Sequence, residues 1–294
     1  MPSDNVTAVV CFFSPCGYVL PKQHLQTTLR GLERQGFDVV CAQSILPGVP
    51  PEPVGGHALA CYESSHLMFR KENLWNLASE LTWASDKLMF IDSDILLEGD
   101  AVQERIAVAL DHAELVQPFG TAQWERRDGT IGLVRPPAAF ALRTGVSPNP
   151  ARFHPGFAWA VTRRALVAMR GFYDRHVMGG GDTMFGYALT PTRDVPEVSE
   201  AQAGLLYSAP SYDAYRRNLR SLDLRISEVE GIAARHLWHG DHKDRQYVKR
   251  GTFLPQPIDG EVPVTYREDG LMEWINQSDS EGALAYFRAR KEDG

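Results

Sequence analysis

The stretch Lys87-Leu88-Met89-Phe90-Ile91-Asp92-Ser93-Asp94-Ile95-Leu96-Leu97 constrains this chain more than any other. Four apolar residues run directly into two carboxylates one residue apart, and apolar residues resume at once. A run of that kind reads as a buried strand, and its tip is where open α/β sheets bind ligands. Two acids at one tip repel unless a cation lies between them, and a hard divalent metal that also holds phosphate oxygens meets that need. The plainer reading makes one Asp a turn cap and the other a solvated carboxylate, and the three-residue motif does not by itself separate the two.

The order of elements around that strand supports an α/β sheet. Thr7 to Phe13 reads as a first buried strand, and Gln23 to Gln35 as a helix with Leu25, Thr28, Leu29 and Leu32 on one face. Gly36 ends that helix and Phe37 to Cys41 makes a second strand. Ile45 to Gly56 holds four Pro and three Gly and is a loop. His57 to Cys61 reads as a short strand, and Leu74, Leu77, Ala78 and Leu81 form a helical stripe flanked by Trp75 and Trp83. Asp100 to Asp111 repeats the helix pattern and Leu115 to Phe119 a strand. Regular signals fade from Thr121 to Arg152 and return at Thr162 to Met169 and after Asp182. The expectation is one α/β domain over 1–294, in parts at about 1–120 and about 121–250 with an irregular extension at about 251–294.

Composition narrows the setting. With 294 residues, 44% of them hydrophobic, a sizeable core is affordable, and no run of about 18 apolar residues offers a membrane span. The opening residues lack a signal peptide's basic start and apolar stretch, and the cysteines, Cys11, Cys16, Cys41 and Cys61, form no C-x-x-C pair. A reduced, cytoplasmic setting is expected. The net charge of −7 weighs against a nucleic-acid surface over the whole protein.

Three further strings carry candidate chemistry. In His154-Pro155-Gly156-Phe157-Ala158-Trp159, a tight bend is flanked by aromatics suited to stacking on a sugar or to a core. In Gly179-Gly180-Gly181-Asp182, three glycines let the backbone approach a ligand and leave Asp182 at a helix start, where simple capping is the alternative. In His236-Leu237-Trp238-His239-Gly240-Asp241-His242-Lys243-Asp244-Arg245, imidazoles suit an Mn²⁺-like metal beside carboxylates, and Lys243 and Arg245 suit phosphates.

Taken in order, the strings K-E-N-L-W-N, F-I-D-S-D, H-P-G-F-A-W, G-G-G-D-T and H-G-D-H-K-D-R-Q-Y, spread from Thr7 to Tyr247, resemble the metal-dependent glycosyltransferases of the GT-A fold, and more specifically a largely uncharacterised bacterial and phage group. The resemblance implies a Rossmann-like, mostly parallel sheet flanked by helices, with a nucleotide-binding half at about 1–120 and an acceptor and catalytic half at about 121–250, and a nucleotide-sugar donor, most simply a UDP-sugar. It implies Mn²⁺ or Mg²⁺ held on the donor diphosphate by Asp92, Asp94 and His239, with His236 as the substitute ligand and Asp92 alternatively on ribose. Phe13, Ser14, Lys71 and Asn73 are implied at the nucleotide, and His154, Trp159, Gly180 and Gly181 at the substrate. Asp182 matches the acid that deprotonates the acceptor in inverting members, although Gly181 stands where an acid often precedes it. The acceptor is left open among a glycan, a protein, a small molecule and a hydroxymethylated phage DNA base, and the oligomeric state is not implied.

Three rivals share parts of the pattern, and one of them, a phosphatase with the first Asp of the D-x-D as nucleophile, is opposed by Leu96 and by the late position of Asp92. A nucleotidyltransferase needs a Gly-rich loop after the first strand, where this chain has Ser14-Pro15-Cys16-Gly17. A non-catalytic nucleotide- or carbohydrate-binding module on the same fold differs only in lacking turnover.

Overall fold

The computed structural model describes residues 5–190, 209–245 and 250–294. In chain order the elements are β1 (Val6–Phe12), α1 (Val19–Arg34), β2 (Asp38–Ile45), β3 (Ala58–Glu63), α2 (Lys71–Leu81) and β4 (Lys87–Asp92). There follow β5 (Ile95–Glu98), α3 (Val102–His112), β6 (Leu115–Gln117), β7 (Thr121–Glu125), β8 (Ile131–Arg135), α4 (Ala138–Arg143) and β9 (Ala158–Thr162). The remainder comprises α5 (Arg163–Met169), α6 (Gly181–Ala188), α7 (Pro210–Ser221), β10 (Ile226–Glu228), β11 (Ala233–His236), β12 (Val264–Tyr266), β13 (Met272–Trp274) and α8 (Ser280–Ala289).

The main sheet has seven strands in the order β3-β2-β1-β4-β9-β6-β10, and only β9 runs against the others. Leu88, Met89, Phe90 and Ile91 of β4 are fully buried, as a strand covered by helices on both faces requires. One apolar cluster forms on the α2 face around Trp75, Phe90 and Trp159, and the other on the α1 and α3 face around Leu25, Met89 and Ile106. A second sheet, β5-β11-β7-β8, begins immediately after Asp94. The fold is mixed α/β with a mostly parallel central sheet flanked by helices.

From β1 the chain moves outward through β2 and β3, then crosses back to lay β4 on the other side of β1. The β1/β4 junction is therefore a topological switch point, where the loops leaving the two strands part and open a crevice. Register places Cys11 opposite Asp92. Ser14 and the two aspartates consequently leave the sheet at the same edge.

The apolar face of α1 is as its spacing predicts, with Leu25, Thr28, Leu29 and Leu32 buried. On α2 the stripe shifts: Trp75 is buried, while Leu81 is exposed and Trp83 is 82% exposed. The stretch from Thr121 to Arg152 is more regular than its sequence signals, holding the β7–β8 hairpin and α4. Ile131 to Val134 of β8 are exposed, so no buried alternation marks that strand. The expected irregular extension likewise contains β12, β13 and α8. Among the described residues no helix is long and apolar enough to cross a membrane.

Candidate active site

Two side-chain clusters meet at the tip of β4, one on each carboxylate of the D-x-D. On Asp92 the partner is Lys71, the first residue of α2, whose Nζ lies 3.1 Å from Asp92 Oδ1, 2.7 Å from Asp182 Oδ1 and 3.8 Å from Glu72 Oε1. One buried ammonium thus faces three carboxylates. Burial pushes Asp92 up to about 7 and Glu72 up to about 8, with Lys71 opposing and the neighbouring acids reinforcing. Burial works to lower the Lys71 ammonium, and Asp182, Asp92 and Glu72 outweigh it, raising it well above its usual value. Both oxygens of Glu72 are buried without a hydrogen-bond partner.

The triple glycine explains how Asp182 arrives there. Gly179 and Gly180 hold φ of +79° and +101°, in the left-handed region that a side chain resists. Gly181 answers to close approach, since a Cβ there would lie 2.1 Å from Glu72 Oε1. Asp182 does not cap α6, and its carboxylate accepts from Lys71 instead. Its other oxygen, Oδ2, lies beside Gly156, where a Cβ would come within 2.6 Å of it and 3.3 Å of His154 Nε2. The bend at Pro155-Gly156 thereby makes room for both groups. Phe157, next along, holds φ of +72°, a strained value for an aromatic residue, and packs its ring 3.8 Å from that of His154. Burial drops His154 to about 3, so the ring is neutral.

On Asp94 the partners are histidines. β11 pairs with β5, setting His236 opposite Ile95, and Leu237 N donates to Asp94 O at 2.9 Å. His239 Nε2 then lies 2.7 Å from Asp94 Oδ2 and His236 Nε2 lies 3.5 Å from it. One ligand atom from each of these residues falls within 4.8 Å of the others. Burial drives His236 well below its usual value, Asp94 opposing, which leaves a neutral imidazole. Burial also pushes Asp94 up, but His236, His239 and Arg245 hold it well below the usual carboxylate range.

This donor set fits a divalent cation. Arg245 Nη2 approaches His239 Nε2 at 2.9 Å, and Asp94 Oδ2 approaches the same nitrogen from 2.7 Å. If Nε2 accepts from Arg245, it has no proton to give the Asp94 oxygen; if Nε2 donates to Asp94, the Arg245 N–H loses its acceptor. A metal held by Asp94 and His239 would use the Nε2 lone pair in place of Arg245, and Asp94 Oδ1, buried without a hydrogen-bond partner, is a further oxygen for it.

A cleft of about 200 Å³ opens at the carboxyl ends of β1 and β2, and its lining reaches towards the cluster residues only as far as Arg70, the neighbour of Lys71 in the chain. Phe13, Ser14, Ser44 and Arg70 line it. Phe13 meets Phe69 edge-on at 5.0 Å, and Ser14 Oγ is buried without a partner. Arg70, 2% exposed, donates to Ser44 Oγ at 2.7 Å and to His66 O. Mostly apolar walls with a few fixed polar groups suit a small organic ligand.

Two expected site residues stand elsewhere. Asn73 is 2% exposed and spends its amide on Asp174, Gly270 O and Met272 N, which ties α2 to β13. Trp159 is core, opposite Phe90, with Nε1 donating to Pro155 O at 2.8 Å. An indole enclosed in that way has no face left for a sugar. Gly180 supplies backbone shape with its φ of +101° ahead of α6, and Gly181 makes the close approach to Glu72. Lys243 belongs to the short 3₁₀ turn His242–Arg245, and its side chain lies outside the described residues.

Glu72, Arg70 and Glu292 are the additions that sequence reasoning missed. Glu72 lies in the K-E-N string and Arg70 directly before it, so adjacency to Lys71 was the available signal. Glu292 reaches His239 from the far end of the described chain, and no local pattern marks it. Burial works to raise Glu292, and Arg290, His239 and Arg245 outweigh it, bringing it to about 2.

No family model matches the chain, and no curated protein matches it. Among solved structures, similarity is found to a Drosophila β-1,4-galactosyltransferase 7 mutant in complex with manganese, UDP-Gal and xylobiose, at 12% identity and a TM-score of 0.33. That match covers 62% of this chain and 60% of the galactosyltransferase, so the chain spans less than two thirds of its length. The 4-diphosphocytidyl-2C-methyl-D-erythritol synthase of Anaerococcus prevotii is 11% identical, with 97% and 100% of the two chains covered and a TM-score of 0.34. A mycobacterial protein is 13% identical over 92% of this chain and 84% of its own, with a TM-score of 0.44. At these values the case for an activity rests on the residues of the chain itself.

Proposed function

We propose that the protein is a glycosyltransferase that moves a sugar from a nucleotide donor, a UDP-sugar in the simplest case, to an acceptor hydroxyl. The observation that carries this reading is the division of labour at the tip of β4. Asp94 faces two imidazoles that suit a metal, while Lys71 joins Asp92 to Asp182, and the cleft at the end of β1 opens at Phe13, Ser14 and Arg70, the residue before Lys71.

In this reading the cleft takes the nucleoside, with Phe13 and Ser14 against it and Arg70 at its wall. Asp94, His239 and His236 hold Mn²⁺ or Mg²⁺, which when bound offsets charge on the leaving diphosphate. Arg245 stands ready to pair with a phosphate once its place beside His239 is taken. Lys71 holds Oδ1 of Asp182 and leaves Oδ2 to receive the acceptor's proton. With Asp182 as base, the hydroxyl attacks from the face opposite the leaving group, with inversion. Lys71 is held between Asp92 and Asp182, which fixes the direction of the Asp182 carboxylate.

The test is product analysis with UDP-sugars and simple hydroxyl acceptors in the presence of Mn²⁺. Release of UDP with a glycosylated acceptor supports the reading. Release of pyrophosphate from a nucleoside triphosphate and a sugar phosphate would replace it with nucleotidyl transfer. Tight metal-dependent UDP binding without turnover on any acceptor class would favour the binding module.

A further inference from the structure

The segment 290–294 lies across the His239 side of the site and is fastened at several points. Asp293 Oδ1 accepts from Leu20 N at 2.8 Å and Oδ2 from Val19 N at 3.1 Å, using two amides that the first turn of α1 leaves free. Tyr18 OH donates to Phe287 O at 3.2 Å and to Arg288 O at 3.0 Å, holding the end of α8 against the same corner. Gly240, directly after His239, has φ of +90°, and a Cβ there would sit 2.7 Å from Lys291 O. The turn carrying His239 and the crossing segment are thus in backbone contact.

Between these fastenings Glu292 enters the site. Its Oε1 lies 2.6 Å from Arg290 Nη2 and 3.4 Å from His239 Nδ1. His239 is 4% exposed, and Nδ1 is buried with no hydrogen bond at its present distance. An imidazole that offers the Nε2 lone pair to a cation must carry its proton on Nδ1. That proton in turn needs an acceptor, and a carboxylate is a common one. Arg290 holds Oε1 of Glu292 at the required side of the ring.

We propose that Glu292 is a positioning residue for His239: the strapped segment 290–294 presents its carboxylate to Nδ1, fixing the ring's tautomer and orientation so that Nε2 faces the cation shared with Asp94. The inference rests on reading Asp94, His236 and His239 as a cation site. It extends that reading to a part of the chain that supplies no ligand itself.

The experiment is Mn²⁺ binding to the nucleotide-free protein, followed by electron paramagnetic resonance, together with the visible spectrum of the Co²⁺-loaded form. Wild type, Asp94→Asn, Glu292→Ala and Glu292→Gln are compared. Wild type takes up Mn²⁺ and Asp94→Asn does not. Glu292→Ala binds Mn²⁺ about 10- to 100-fold more weakly with an altered Co²⁺ spectrum. Glu292→Gln, whose amide oxygen still accepts from Nδ1–H, regains most of the affinity. Wild type without Mn²⁺ affinity overturns the cation site itself. Wild-type affinity in Glu292→Ala, with Asp94→Asn defective, overturns the role of Glu292 alone. Equal losses in Glu292→Ala and Glu292→Gln, in step with falling melting temperature, also overturn it, because the segment is then only a structural tie.

Discussion

The carboxylate of Glu72 fills the space that a side chain at position 181 would need, for a Cβ on Gly181 would lie 2.1 Å from Glu72 Oε1. The chain has no acid directly before Asp182, and α2 brings one to that spot from more than a hundred residues away. Lys71 and Glu72, adjacent at the start of α2, therefore both reach the neighbourhood of Asp182. Their contacts with it explain why so short a string as G-G-G-D needs its third glycine.

Gly181→Ala should destabilise the protein by about 1–3 kcal/mol, the usual range for forcing extra volume into a packed site. Glu72→Ala in the same chain should return most of that loss, because the two side chains compete for one space. Chemical denaturation of the four members of the cycle measures this coupling. Strictly additive effects would show that the two positions do not meet.

Stability should also report on Glu72 through pH. In the folded protein Glu72 sits at about 8, against an ordinary value of 4.5. Between these values the folded state keeps a proton that the unfolded chain has released, so stability falls as pH rises through the window. Glu72→Gln removes that term, and its melting temperature should gain on wild type from about pH 5 to about pH 8. A constant difference across that range would mean that Glu72 is already ionised in the fold.

Asn73 and Ser14 should separate structure from binding. Asn73→Ala leaves Met272 N without its acceptor and should cost about 1–3 kcal/mol of stability while leaving nucleotide affinity alone. Ser14→Ala should do the reverse, keeping the melting temperature and weakening UDP binding by about 0.5–1.5 kcal/mol. Calorimetric titration beside thermal unfolding distinguishes the pair, and a loss of UDP affinity in Asn73→Ala would return that residue to the nucleotide site.

The two halves of the site should fail differently. Asp182→Asn should retain metal-dependent UDP binding and lose about 10²–10⁴ in turnover, the usual worth of a general base. Asp94→Asn should abolish the Mn²⁺ dependence of UDP binding itself. Near-normal transfer by Asp182→Asn would remove it as the base.

Much of the sheet was legible because its signals are local. A fully buried strand such as Leu88 to Ile91 has no polar residue to interrupt it, and the stripe from Leu25 to Leu32 repeats at helical spacing. The β7–β8 hairpin was not legible, since its outer strand stays exposed and carries no alternation, although Asp128-Gly129 is a turn signal. Trp159 and Asn73 mislead for a related reason. An aromatic beside a bend and an amide before a helix look the same in sequence whether they face a ligand or the core.

By itself the sequence determined that Asp92 and Asp94 leave a buried strand together, that three glycines precede Asp182, and that His236 and His239 stand near basic residues. These are facts of order and spacing within a few residues. Only the tertiary structure decided which acid meets which cation. Parallel pairing of β1 with β4 and antiparallel pairing of β5 with β11 bring Asp94 to His236 and His239, while the start of α2 delivers Lys71 and Glu72 to Asp92 and Asp182. Glu292 reaches His239 because α8 ends beside the first turn of α1, where free backbone amides hold Asp293. Contacts of that kind are set by packing between distant elements, and no periodicity along the chain encodes them.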